Sequence, residues 1–135
     1  MKPFFALAAA MIVSGPALAE GDPAAGEKEF RKCRACHEIV DNDGNAIVRG
    51  GKVGPNLYGI PGAQAGAVEG FNYGDSIVEA GAQGLTWDVE SFSAYIQDPR
   101  GFLAEYLGGS AQAKMAAQRV QNPEDLYAYL ESVSN

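Results

Sequence analysis

Five consecutive residues carry the strongest chemical signal in this 135-residue chain: Cys33, Arg34, Ala35, Cys36 and His37. Cys-x-x-Cys-His is the spacing that attaches a c-type haem. Two thiols three apart near a helix end can reach the two vinyl groups on one edge of a porphyrin. The next residue then aims its imidazole at the iron. The same residues could instead form a disulfide, since an oxidising compartment would favour one. They could also form a thioredoxin-like redox pair. That fold wants a βαβ pattern around the motif, and none is visible. Structural zinc needs four ligands, and the chain offers two cysteines and one histidine.

The second axial ligand is sought among the remaining side chains. His37 is the only histidine, which excludes two-histidine ligation within one chain. Met1 and Met11 fall in an N-terminal leader, so Met115 is the methionine that remains. A thioether is a good axial partner, and Met/His ligation raises the reduction potential. Two other readings compete. Met115 could be an ordinary core methionine, or the sixth position could stand open, which suits ligand binding or peroxidase chemistry.

The leader is read over residues 1–19. Lys2 gives a positive start, Phe4 to Val13 is an uncharged apolar run, and Ala17-Leu18-Ala19 is a small-x-small cleavage site. This is the pattern of a secretory signal peptide, and it is too short for a membrane anchor. The expected mature protein, residues 20–135, is a soluble single domain in the periplasm. Its nine Lys and Arg stand against seventeen Asp and Glu. Such a balance argues against nucleic acid and anionic membranes as partners. A chain this small, rich in Gly and Ala, benefits from an extra apolar body to pack around.

Three main helices are expected to position these residues. The first opens at Asp22 with Pro23 at its first turn and runs to about Arg34. The second opens at Thr86, carries Val89, Phe92, Tyr95 and Ile96, and ends before Pro99. The third opens at Asn122 and carries Leu126, Tyr127, Tyr129 and Leu130. Ile77 to Ala80 is a candidate short helix. Asp41 to Gly51, Gly54 to Gly70 and Arg100 to Val120 read as loops, the last with one helical turn near Phe102 to Tyr106. Loops this long in a small domain usually enclose something. No repeat and no strand-rich region is visible.

From Gly21 to Val133 the chain resembles the class I cytochromes c, and within them the soluble bacterial cytochrome c2 group. The landmarks are Cys33 to His37, Gly54-Pro55-Asn56-Leu57-Tyr58-Gly59, Gly70-Phe71-Asn72-Tyr73-Gly74, Trp87, Tyr95, Pro99, Lys114-Met115 and Glu124 to Leu130. The resemblance implies an all-α fold, with three main helices and long loops wrapped around one covalent haem c. It implies that the Pro55 carbonyl accepts the second ring proton of His37. Tyr73 and Trp87 would donate to a buried haem propionate, and Tyr95 would sit near the Met115 sulfur. Gly26 would let the first helix approach the third, with Phe30, Leu126 and Tyr129 filling the crossing.

The implied function is electron transport, with no catalysis. The donor would be a membrane quinol–cytochrome c oxidoreductase or a periplasmic dehydrogenase. The acceptor would be a terminal oxidase or a photosynthetic reaction centre. Redox partners would dock on a basic front around the haem edge made by Lys32, Lys52, Arg100 and Lys114, with the protein a monomer. A haem enzyme or a haem sensor is the competing class. For the first, no distal histidine or paired acid is visible. For the second, there is no further domain to carry a signal.

Two positions depart from the family pattern. Ala63 stands where relatives usually carry an arginine near the propionates. Ala117 stands where they often carry an aromatic that shields the haem edge. Both losses favour ferric over ferrous haem, so a potential below that of close relatives is expected. Redox titration should show the potential rising in Ala63→Arg and in Ala117→Phe. No rise in either variant would refute the explanation.

Overall fold

The structure, a computed structural model, describes Pro3 and residues 21–134. The leader reading over residues 1–19 lies outside the described residues, save for Pro3. Among the described residues there are five helices rather than three main ones, and one small hairpin: α1 (Pro23–Phe30), β1 (Ile39–Val40), β2 (Ala46–Val48), α2 (Asp75–Ala82), α3 (Val89–Gln97), α4 (Pro99–Leu107) and α5 (Pro123–Val133). The architecture remains helical with little strand, as expected.

Helix α1 begins where its sequence says. The Asp22 side chain accepts from Ala24 N at 3.0 Å, and Pro23 occupies the first turn, where its missing N–H goes unneeded. It ends sooner than expected, at Phe30 rather than Arg34. Beyond Phe30 the chain winds tighter, through bonds from Lys32 N to Glu29 O (3.1 Å), Cys33 N to Phe30 O (2.8 Å) and Cys36 N to Cys33 O (3.2 Å). Bonds between residues three apart bring i and i+3 onto one side. This turn sets Cys33 and Cys36 near one another, and a bond from His37 N to Cys33 O (2.9 Å) carries the chain on to the imidazole.

Helix α3 opens at Asp88, not Thr86. Asp88 Oδ1 accepts from Ser91 N at 2.7 Å, and Asp88 N donates to Ser91 Oγ at 3.0 Å, a reciprocal capping box. Thr86 is drawn instead into an antiparallel bridge with Gln64. Around that bridge, Gly62 N donates to Trp87 O (2.7 Å) and Trp87 N to Ala63 O (2.9 Å). Helix α4 replaces the single helical turn expected near Phe102. Asp98 caps it through Gly101 N at 3.1 Å, Pro99 opens it, and Gly108, at φ 73°, ends it. Pro99 thus stops one helix and starts the next. Helix α2 is also longer than the Ile77 to Ala80 expected, and its buried side is Ala80 and Gly81.

The Asp41 to Gly51 loop supplies the turn and second strand of a hairpin that was not expected, its first strand lying just before the loop. Strands this short do not hold themselves. Asn56, from a separate segment, clamps β1 by accepting from Val40 N (2.9 Å) and donating to Val40 O (2.8 Å). The crossing of α1 on α5 is the largest contact between elements. Phe30 and Tyr129 meet there with ring centroids 5.8 Å apart. Leu126 and Leu130 are buried beneath. Helix α3 joins through Phe92 on Tyr127, at 5.4 Å, and the Tyr127 hydroxyl donates to Trp87 O at 2.9 Å.

The crossing depends on Gly26. A Cβ there would overlap the Asp125 carbonyl oxygen and lie 2.8 Å from Tyr129 Cβ. The obstacle is backbone, which cannot swing away. Gly26→Ala should therefore destabilise the folded protein by about 3 kcal/mol, the upper range for overpacking. Denaturant unfolding of the haem-loaded protein tests this, and an unchanged midpoint would refute it.

Candidate functional site

The turn after α1, the loops and the inner faces of α3 and α5 surround one cavity of about 330 Å³. Cys33, Cys36, His37 and Met115 all line it. So do four further residues singled out in the sequence: Pro55, Tyr73, Trp87 and Tyr95. Residues far apart in the chain thus share one wall system, most of it apolar.

His37 is nearly buried, at 9 % exposure. Its Nδ1 lies 2.8 Å from the Pro55 carbonyl oxygen. A carbonyl can only accept, so Nδ1 is the protonated nitrogen and Nε2 keeps its lone pair. Burial also pushes the imidazole pKa below its ordinary value, and the Pro55 carbonyl opposes this only in part. The ring is therefore neutral at pH 7, which is the state a metal ligand requires.

Pro55 is held in place on both sides. Gly54 N donates to Cys36 O at 2.7 Å, and Leu57 N donates to Glu38 O at 3.0 Å. Asn56 binds Val40 between them. Gly54 is needed for contact: a Cβ there would overlap the His37 ring, with Nδ1 only 2.6 Å away. Sequence reasoning assigned no role to Gly54 or Asn56, although both lie in the Gly54-Pro55-Asn56 triplet. Their roles depend on the 36–40 segment packed against them.

The two cysteines are free thiols, Cys33 half-buried and Cys36 exposed. Burial pushes the Cys33 thiol up to about 11, with the Glu29 carboxylate and Cys36 adding to the rise and Lys32 opposing it. A redox-active Cys-x-x-Cys pair needs the opposite shift. Among the described residues no group of three His, Cys, Asp or Glu side chains could hold a metal ion. The raised Cys33 thiol does not favour a redox pair.

Trp87 and Tyr95 pack with ring centroids 4.8 Å apart. Burial pushes the Tyr95 phenol up to about 12, with Tyr73 adding to the effect. The Tyr73 hydroxyl accepts from Val68 N at 3.2 Å and keeps its own proton to donate. Burial raises its pKa as well, against the opposing Val68 bond. Both phenols are protonated donors at neutral pH.

The four basic residues are not equivalent. Lys32 and Lys114 line the cavity. Lys32 Nζ lies 3.1 Å from Glu29 Oε2, and Lys114 Nζ donates to Asn72 O at 2.7 Å. Lys52 does not line the cavity but precedes Val53, which does and is 76 % exposed. Arg100 lies in the first turn of α4 and is not part of the lining.

These observations test the fit of a haem. Protein interiors hold few voids larger than a water molecule. This cavity, about 330 Å³ and mostly apolar, far exceeds such a void. A flat apolar macrocycle fills such a space. The donor set suits it too: two thiols, a neutral imidazole and a thioether border the same cavity.

Comparison with known proteins agrees. No protein-family model matches the chain. Cytochrome c-551 of Roseobacter denitrificans is 52% identical over 122 residues, covering 90% of this chain and 87% of the relative. Cytochrome c2 of Rhodovulum adriaticum is 50% identical over 117 residues, covering 84% and 93%. The solved structure of Rhodobacter capsulatus cytochrome c2 superimposes with a TM-score of 0.82 at 48% identity, covering 85% of this chain and all of that one. Fold and site together define a class I cytochrome c. The chain belongs to the cytochrome c2 family. It carries one covalent haem c, and its general role is electron transfer. Among the described residues no helix is long and apolar enough to cross a membrane.

Proposed function

We propose that the chain is a periplasmic one-haem electron shuttle whose iron is closed on both sides by His37 and Met115. The observation that carries this reading is the shared cavity: both side chains border it, and the His37–Pro55 bond leaves the imidazole lone pair free. Cys33 and Cys36 would hold the haem covalently through two thioether links. When bound, the haem supplies one-electron oxidation and reduction. The protein's part is to hold the two axial ligands in both redox states, so that little rearranges when an electron moves. With both positions filled by its own residues, the chain offers a substrate no place at the metal, and we read it as a carrier and not an enzyme.

The other residues have supporting roles in this proposal. Pro55 orients His37 and raises its basicity. Tyr73 and Trp87 donate to a buried propionate, which the free Tyr73 proton permits. Tyr95 stands near the Met115 sulfur. Residues 1–19 direct export and are removed, leaving residues 20–135 as a monomeric cytochrome domain in the periplasm. The donor is a membrane quinol–cytochrome c oxidoreductase or a periplasmic dehydrogenase. The acceptor is a terminal oxidase or a photosynthetic reaction centre.

Partners dock on the face carrying Lys32, Lys52, Arg100 and Lys114. Two of these cations border the haem cavity, on a chain whose net charge is −7. A basic patch on an acidic body is a dipole that steers approach.

The ferric protein should show the weak long-wavelength charge-transfer band of methionine sulfur bound to haem iron. Met115→Ala should lose that band and bind added imidazole readily. A wild-type spectrum without the band, or a band that survives Met115→Ala, would refute the ligand assignment. The rate of reaction with a redox partner should fall several-fold between about 10 mM and about 200 mM salt, as screening shortens the reach of the basic face. A rate independent of salt would count against docking there.

A further inference from the structure

Trp87 is the one tryptophan of the chain, and it is buried in the cavity wall. Among the described residues its indole N–H meets no acceptor. That proton is free for a group inside the cavity. Backbone bonds decide where the ring stands. Trp87 N donates to Ala63 O at 2.9 Å, and Gly62 N donates to Trp87 O at 2.7 Å. Alongside, Ala65 N donates to Leu85 O at 2.9 Å, and Gln64 bridges Thr86. These bonds pair one loop with another. By themselves they do not fix that pair against the α1–α5 crossing.

Tyr127 supplies a link from α5. Its hydroxyl donates to the Trp87 carbonyl oxygen at 2.9 Å. A carbonyl oxygen has two lone pairs, so Gly62 N and the Tyr127 hydroxyl together fill it. Tyr127 follows Leu126, which lines the cavity, but is not part of the lining itself. Its ring rests on Phe92 of α3, with centroids 5.4 Å apart. Burial raises the phenol's pKa, with Glu131 and Asp88 adding to the rise and the Gly62 amide opposing it. The hydroxyl therefore keeps its proton and donates at neutral pH. An apolar ring would satisfy the packing here, whereas a buried hydroxyl is costly unless it is bonded. Tyr127 thus stands one layer behind the cavity wall, with its polar atom spent on one wall residue.

We propose that Tyr127 is a positioning residue that aims the Trp87 indole N–H at a haem propionate and so keeps the reduction potential up. This inference rests on the Trp87–propionate reading. Tyr127 does not touch the haem. It acts by fixing the backbone from which the indole projects. Without that bond the indole N–H is less well aligned, and a hydrogen bond weakens steeply with misalignment. The carboxylate then keeps more of its negative charge near the iron, which favours ferric over ferrous haem. The same loss raises the propionate pKa, because a donated bond stabilises the charged form.

The test is redox titration of the haem-loaded protein in wild type, Tyr127→Phe, Trp87→Phe, the double variant and Tyr129→Phe. Tyr127→Phe removes the hydroxyl but keeps the ring and the Gly62 bond to Trp87 O, so the fold should survive. At the wild-type midpoint and about pH 8, its ferric-to-ferrous ratio should rise about threefold, part of the worth of one neutral hydrogen bond. The limb over which its potential falls with pH should move to higher pH. Exchange of the indole N–H, a single resonance in the ferrous protein, should quicken several-fold. Tyr129→Phe loses a hydroxyl from the same helix that makes no bond to Trp87, and should match wild type. In the Trp87→Phe background, Tyr127→Phe should add no further shift. Wild-type potential and exchange in Tyr127→Phe, while Trp87→Phe lowers the potential, would overturn the positioning role and leave the propionate reading standing. The same shift persisting in the Trp87→Phe background would also overturn it, since Tyr127 would then act by another route. An unchanged potential in Trp87→Phe would overturn the propionate reading itself.

Discussion

A central apolar cavity is the constraint on which the rest of this structure depends. Five helices of eight to eleven residues are too short to close a core among themselves. Leu57, Ile60, Phe92, Ile96, Leu126 and Leu130 all turn toward the same space. A covalently attached, flat, apolar group satisfies them together. Cofactor and core are therefore one structural problem. The α1–α5 crossing provides the frame, and the loops close around what the frame leaves open.

Chemistry at the metal follows from how firmly the walls are held. His37 receives its orientation from a carbonyl that is itself fixed on both sides by backbone bonds to the 36–38 stretch. Met115 is different. Around it, residues 110–117 make no backbone–backbone hydrogen bond among the described residues. The cavity wall therefore has one firmly held side chain, His37, and one, Met115, on a more lightly bonded segment.

Local chemistry explains which parts of the fold were legible. The Asp22-Pro23 start of α1 and the Asn122-Pro123 start of α5 are short-range signals, and both hold. Asp88 lies close to the expected start at Thr86, but its capping box with Ser91 decides the boundary. Helix α4 was obscured because Pro99 reads as a stop, while its role as the opening residue needs the Asp98 cap. The hairpin was invisible for another reason. Two- and three-residue strands have no periodicity to read, and β1 is held by the side chain of Asn56.

The sequence alone determined the attachment chemistry, because the spacing of two thiols and an imidazole is a property of five adjacent residues. It also narrowed the axial ligands, because counting one histidine and three methionines needs no coordinates. Only the tertiary structure decided the imidazole tautomer, since the accepting carbonyl lies 18 residues away. It decided which lysines border the cavity, and it joined Tyr127 to Trp87 and Lys114 to Asn72. The physical reason is range. Covalent spacing and helix caps act over a few residues, whereas these hydrogen bonds form only after packing has brought remote segments together.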